Sequence, residues 1–131
     1  MAKEYIKGAH PEERGYSRAV KVKGGTTVYI AGVAGATDGQ GRTLSGDFEG
    51  QVHAAFRNIS DILVEAGGLL DDVVHTTVFI KDMKYGRLYQ QLRKEYFPHK
   101  NGYPTSALIG INELGTPDLL VEIQAIAVIG D

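Results

Sequence analysis

Between residues 48 and 63, Phe48, Val52, Ala55, Phe56, Ile59, Ile62 and Leu63 recur at spacings of three and four. A helix gathers such positions into one apolar stripe. Asp47 is placed to cap its start, Glu49 puts negative charge in the first turn, and Gly67-Gly68 ends it. A helix with one apolar stripe needs an apolar surface to lie on, so the rest of the chain must supply one.

Strands supply it. Residues 73–80 (Val-Val-His-Thr-Thr-Val-Phe-Ile) are dense in β-branched side chains and apolar on both faces, the pattern of a central strand. Residues 119–129 form a second such run, after a Gly115-Thr116-Pro117 turn, and residues 107–111 form another strand. Toward the N-terminus, residues 3–7 suit a short edge strand. In residues 18–23, Val20 and Val22 alternate with Lys21 and Lys23. Gly24-Gly25 then leads into the β-rich residues 26–31, which predicts a hairpin about the two glycines. Gly32, Gly35, Gly39, Gly41 and Gly46 make residues 32–46 a loop. A second helix is predicted over 84–97, with Leu88, Leu92 and Tyr96 on one face and Pro98 as its stop. The order is β-β-β-α-β-α-β-β. Two helices on one face of a mixed sheet make a two-layer α+β domain covering residues 1–131. The opposite face is left apolar and uncovered, which calls for a second copy of the chain.

Composition removes several function classes. The chain has no cysteine, so disulfides, thiolate metal sites and a cysteine nucleophile are ruled out. No apolar run has the length of a signal or a membrane span, and a cytoplasmic protein with no membrane partner is the expectation. The 14 lysines and arginines stand against 16 acidic residues, with no basic stripe along the sequence, so no nucleic-acid partner is expected. His10, His53, His75 and His99 lack metal-site spacing, and GxSxG, GxGxxG and Walker A motifs are absent. His75 reads as a structural strand residue and His53 as part of an exposed helix face.

Glu122 stands out because it interrupts an almost charge-free strand. It reads either as a solvent-facing carboxylate beside Gln124 or as a half-buried group that holds a water and moves protons. Tyr16 and the Tyr103-Pro104-Thr105-Ser106 segment sit at strand starts, where loops commonly carry function.

These residues together resemble a known family. The resemblance runs through Gly15-Tyr16-Ser17-Arg18-Ala19-Val20, Val28-Tyr29-Ile30-Ala31-Gly32, Gln51, Arg57-Asn58-Ile59 and Glu65-Ala66-Gly67. It continues in Asp72-Val73-Val74, in residues 76–83, in Glu95-Tyr96-Phe97 and in residues 121–127. In order and spacing the chain is similar to the Rid family, also called YjgF/YER057c/UK114, of reactive intermediate deaminases. The resemblance implies a chorismate-mutase-like fold and a homotrimer with small-molecule clefts between subunits. It also implies hydrolysis of enamines and imines to keto acids and ammonia, without metal or organic cofactor. By the same resemblance Glu122 positions the water, while Tyr16 and the backbone near Gly32 complete the pocket. Gln90 falls near a polar position of the family. Two positions depart from the pattern. Ala31 replaces a serine, and Ser106 stands where an arginine clamps the substrate carboxylate. A serine hydroxyl offers one hydrogen bond, about 1 kcal/mol net. Losing a buried charged partner costs roughly 2–5 kcal/mol of binding. Either another cation takes over, with Arg18 the first candidate and Arg14 and Lys100 behind it, or the ligand has changed. A deaminase is therefore weighed against a non-catalytic metabolite-binding trimer and a hydrolase of altered specificity. The endoribonuclease activity ascribed to the family fits the charge least well.

Overall fold

The computed structural model describes residues 1–97 and 102–130. The Pro98 stop, His99 and Lys100 lie outside the described residues. In chain order the elements are β1 (Ala2–Ile6), α1 (Pro11–Arg14), β2 (Ala19–Lys23), β3 (Thr26–Val33), α2 (Phe48–Glu65), β4 (Val73–Ile80), α3 (Gly86–Leu92), β5 (Thr105–Gly110) and β6 (Val121–Ile129). This is the expected α+β order with one added turn of helix, α1.

The strands form a four-stranded sheet, β3-β6-β4-β5, and a separate pair, β1-β2. In the larger sheet β4 and β5 run parallel, whereas β6 is antiparallel to both β3 and β4. The parallel pair needs a crossover, and α3 supplies it.

The helix α2 matches its sequence pattern. The Asp47 carboxylate accepts from the Gly50 N–H at 2.9 Å. At the other end Gly67 adopts a positive φ of 91°, and the Gly68 N–H closes on the Leu63 carbonyl. Its apolar stripe packs on Ile30, Val33, Val78, Ile80, Val121 and Ile123, all buried in one core. Ile62 is the exception, at the stripe's edge and 37% exposed. Along β6, Val121, Ile123, Ala125 and Ala127 face this core, while Glu122, Gln124 and Ile126 face away. Tyr29, on that outer face, is 79% exposed.

Two expectations are corrected. The β2–β3 hairpin does not form. β2 pairs with β1, and the chain crosses from one sheet to the other at Gly24-Gly25. Both glycines have positive φ, and a Cβ on Gly25 would stand 2.8 Å from the Ile129 carbonyl oxygen. The pair serves a close crossing rather than a tight return. The helix predicted over 84–97 is shorter. α3 spans seven residues between 3-10 turns at Met83–Tyr85 and Arg93–Glu95. The tighter last turn sets the direction of Arg93, which matters below.

The loops are tied to the core by side chains. Gln51, 1% exposed, donates to the carbonyls of Leu44 and Asp118 and accepts from the Leu120 N–H, all at 2.8–2.9 Å. It thereby fixes the chain two residues before Glu122.

Candidate functional site

The β3–β6 ladder runs in register to Ile30↔Ala125 and resumes at Val33↔Ile123. Ala31 and Gly32 therefore oppose the single residue Gln124, as in a β-bulge. The bulge releases the Ala31–Gly32 backbone from regular pairing beside Glu122. The Glu122 side chain folds over Gly32. A Cβ on Gly32 would lie 2.5 Å from the Glu122 Oε2 and 2.8 Å from its Cδ. Glycine is needed there for room, not for its backbone freedom. The Glu122 carboxylate is half-buried and has no hydrogen bond or ion pair among the described residues. Asn58 steadies the segment beyond Gly32 by donating to the Ala34 carbonyl at 3.0 Å.

A cavity of about 390 Å³ opens on the same outer face, lined by Tyr29, Ala31, His75, Thr77, Gln124 and Ile126 among others. The Thr105 hydroxyl donates to the Val74 carbonyl, so it accepts from the His75 Nδ1 at 2.7 Å. The Thr77 hydroxyl shares a hydrogen bond with the His75 Nε2 at 3.0 Å. Burial lowers the His75 pKa and so favours the neutral imidazole.

A second constellation lies on the helix side. Tyr16 and Gln90 share a cavity of about 570 Å³ with Glu13, Arg14, Arg87, Gln91 and Lys94. A smaller one of about 200 Å³, lined by Lys7, His10, Arg14 and Arg18, adjoins Tyr16. Charges scattered along the sequence thus converge around one tyrosine. Behind Tyr16 sits Arg93, only 3% exposed. Its guanidinium carbon is 5.4 Å from the centre of the Tyr16 ring and 5.6 Å from that of Tyr89. Its Nη2 donates to the Arg14 carbonyl, and its Nη1 donates to the Ser106 hydroxyl at 3.0 Å. Burial pulls its pKa below the usual range, with Tyr89, Tyr16 and Tyr103 opposing.

The sequence profile described as Endoribonuclease L-PSP matches residues 8–129. The chain belongs to the Rid (YjgF/YER057c/UK114) family. A RutC family protein of Pyrococcus abyssi is 35% identical over 129 residues, covering 97% of this chain and 98% of its own. The human 2-iminobutanoate/2-iminopropanoate deaminase is 32% identical over 115 residues, covering 88% of this chain and 80% of its own. Among solved structures, the Rid-family protein YyfB of Yersinia pestis superposes with a TM-score of 0.81 at 25% identity, covering 98% of this chain and all of that one. E. coli TdcF, solved with bound serine, gives 0.70 at 30% identity, covering 82% and 84%.

In this Rid protein the expected site residues fall into two groups. Glu122, Gly32 and Ala31 meet at the bulge on the outer face of the sheet. Tyr16, Gln90 and Ser106 belong to the helix side. The register separates them. Ser106 pairs with Thr76, which is 2% exposed and faces the core, whereas Glu122 pairs with Phe79, three residues further along β4. Side chains three apart on a strand point to opposite faces. Arg18 lines the smaller cavity and packs its stem over Gly8. The arginine in contact with Ser106 is Arg93, which sequence reasoning passed over. Its only signal was a position near the end of a helix facing the Tyr103–Ser106 segment, and that proximity needs the fold. No group of three His, Asp or Glu among the described residues is arranged to hold a metal, and no described helix is long and apolar enough to cross a membrane.

Proposed function

We propose that this Rid protein is a homotrimer that hydrolyses small enamine or imine metabolites, with its sites between subunits. The observation that carries the reading is the Glu122 carboxylate, unpartnered among the described residues and folded over Gly32 beside a bulge. Such a carboxylate is free to accept a proton from water as the water adds to the imine carbon. The C=N bond becomes a C–N single bond, and the tetrahedral carbinolamine carries the new hydroxyl. With the imine entering protonated, Glu122 returns the proton to the departing nitrogen and takes the hydroxyl proton as the C–N bond breaks, so that ammonia leaves, the carbonyl forms and the proton passes to solvent. Deaminase names among the relatives support this chemistry, and TdcF with bound serine shows that a relative holds a small amino acid. Within one subunit Glu122 and Tyr16 belong to opposite sides of the sheet, so a cleft using both groups needs a second copy of the chain.

The test generates 2-iminopropanoate in situ with an amino-acid oxidase and traps it with semicarbazide. Added protein should lower semicarbazone formation. Glu122→Gln should remove at least about 100-fold of that activity while the oligomer persists on size-exclusion chromatography. Unchanged turnover in that variant would refute the role of Glu122. A second reading, a metabolite-binding trimer without chemistry, is favoured by Ser106 and by the near-complete burial of Arg93. Ligand binding without product would support it.

A further inference from the structure

We propose that Arg93, with Ser106 and Tyr16, forms a carboxylate-binding site at the joint between the N-terminal segment, α3 and β5. Four observations point there. First, Arg93 is buried and has no acidic partner within ion-pair distance among the described residues. A buried cation without a counterion is costly, and proteins that keep one commonly offer it to an anion. Second, its two hydrogen bonds go to a neutral hydroxyl and a carbonyl, and they leave the planar fork incompletely used. Third, among the described residues the buried side-chain polar atoms lacking any hydrogen bond are the Arg93 Nε, the Tyr89 hydroxyl and the Ser17 hydroxyl. Arg93 lies beside Tyr89 on the helix side, and Ser17 follows Tyr16 and bonds through its N–H to the Pro104 carbonyl. Orphaned buried groups concentrated at one joint mark a missing partner. Fourth, the approach is already cationic. The 570 Å³ cavity in front of Tyr16 has Arg14, Arg87 and Lys94 on its walls against the single acid Glu13.

Tyr16 is the cover. Its ring lies over the guanidinium and its hydroxyl takes a long, 3.4 Å bond from Arg14. Access to Arg93 from the cavity requires that ring to rotate aside, and the one hydrogen bond opposing this among the described residues is the long one from Arg14. The guanidinium then meets a carboxylate with two parallel N–H donors, a geometry that lysine cannot offer. Ser106 supplies the hydroxyl that aims the fork. The site rests on the imine-deaminase reading only for the identity of the natural ligand, an α-imino or α-keto acid.

Calorimetric titration of the full-length protein with pyruvate, and with pyruvamide as its neutral counterpart, tests the site. Pyruvate should bind and pyruvamide should not. Arg93→Met should weaken pyruvate at least about 30-fold without lowering the thermal midpoint, because an unpaired buried charge is replaced by an apolar chain of similar length. Arg93→Lys, which keeps the charge, should be weakened by a smaller factor and covers the case in which the methionine variant does not fold. Wild-type-like pyruvate binding in a folded Arg93 variant, equal binding of pyruvamide, or no pyruvate binding by the wild type overturns the proposal. Turnover measured alongside separates the two ideas. Arg93-dependent binding without turnover removes the deaminase reading and leaves the site standing. Turnover with unchanged KM in Arg93→Met does the reverse.

Discussion

Each half of the candidate site sets a glycine against its charged group, and the two glycines are there for different reasons. Gly32 makes room. Its backbone is ordinary, but a Cβ would collide with the Glu122 carboxylate at 2.5 Å. Gly15 turns the chain. It has a φ of 74° at the end of α1, and its N–H closes on the Pro11 carbonyl at 2.7 Å. A Cβ there would stand 3.1 Å from the Arg93 Nε. The sheet half therefore holds its charge on a rigid strand and leaves it uncovered. The helix half holds its charge by wrapping a tight turn over it. The proposed roles follow this contrast: the carboxylate beside the bulge would work on water, and the guanidinium under the turn would hold a ligand still.

The largest effect expected from breaking this contrast is on the sheet side. Gly32→Ala should cost about 100-fold in turnover, because displacing a reacting group by about 1 Å has that effect. Its stability should stay within about 0.5 kcal/mol, since the strand backbone tolerates alanine and the carboxylate tip can swing aside. Imine-hydrolysis kinetics beside urea unfolding would check both. A loss of activity matched by unfolding would place Gly32 in the scaffold instead.

On the helix side the balance should invert. Gly15→Ala forces a left-handed backbone on an L-residue, at about 1–2 kcal/mol. It also presses on the Arg93 Nε and the stem of Lys94. Urea unfolding should show that loss, and pyruvate titration should show weakened binding, while hydrolysis at saturating substrate falls less than in Gly32→Ala. An alanine at 15 as stable as the wild type would mean that the turn relaxes and that Arg93 is not held by it.

The same contrast explains what could be read from sequence. Glu122 stood out as a single carboxylate in an apolar strand, but that pattern left two readings open, and its proposed place in a cleft came from the family resemblance. The helix α2 was legible from its stripe and caps, as was β4 from its β-branched run. The β2–β3 connection was misread because Gly-Gly fits both a hairpin and a close crossing, and only the position of Ile129 and Met1 decides between them. Arg93 was invisible for a deeper reason. An arginine near a helix end usually faces water, and its burial depends on a 3-10 turn and on Tyr16, Tyr89 and Ser106 converging from separate stretches of the chain.

The smallest effect should come with pH, and it too should separate the halves. A guanidinium stays charged through the physiological range, so pyruvate binding at Arg93 should be flat between about pH 6 and 8. The sheet face carries His75, hydrogen-bonded to Thr105 and Thr77 in a cavity whose other lining residues bear no acid or base except Tyr29. Burial lowers the His75 pKa in the folded protein. Its unfolded value is about 6.5, so the unfolded chain takes up the proton first. Stability should then be constant above about pH 6.5 and should fall as the pH drops through that value toward the lower folded one. Thermal unfolding from pH 8 to 5 should show this shallow decline, and His75→Gln, which cannot charge, should flatten it. A decline of equal size in that variant would assign the acid sensitivity to a group other than His75.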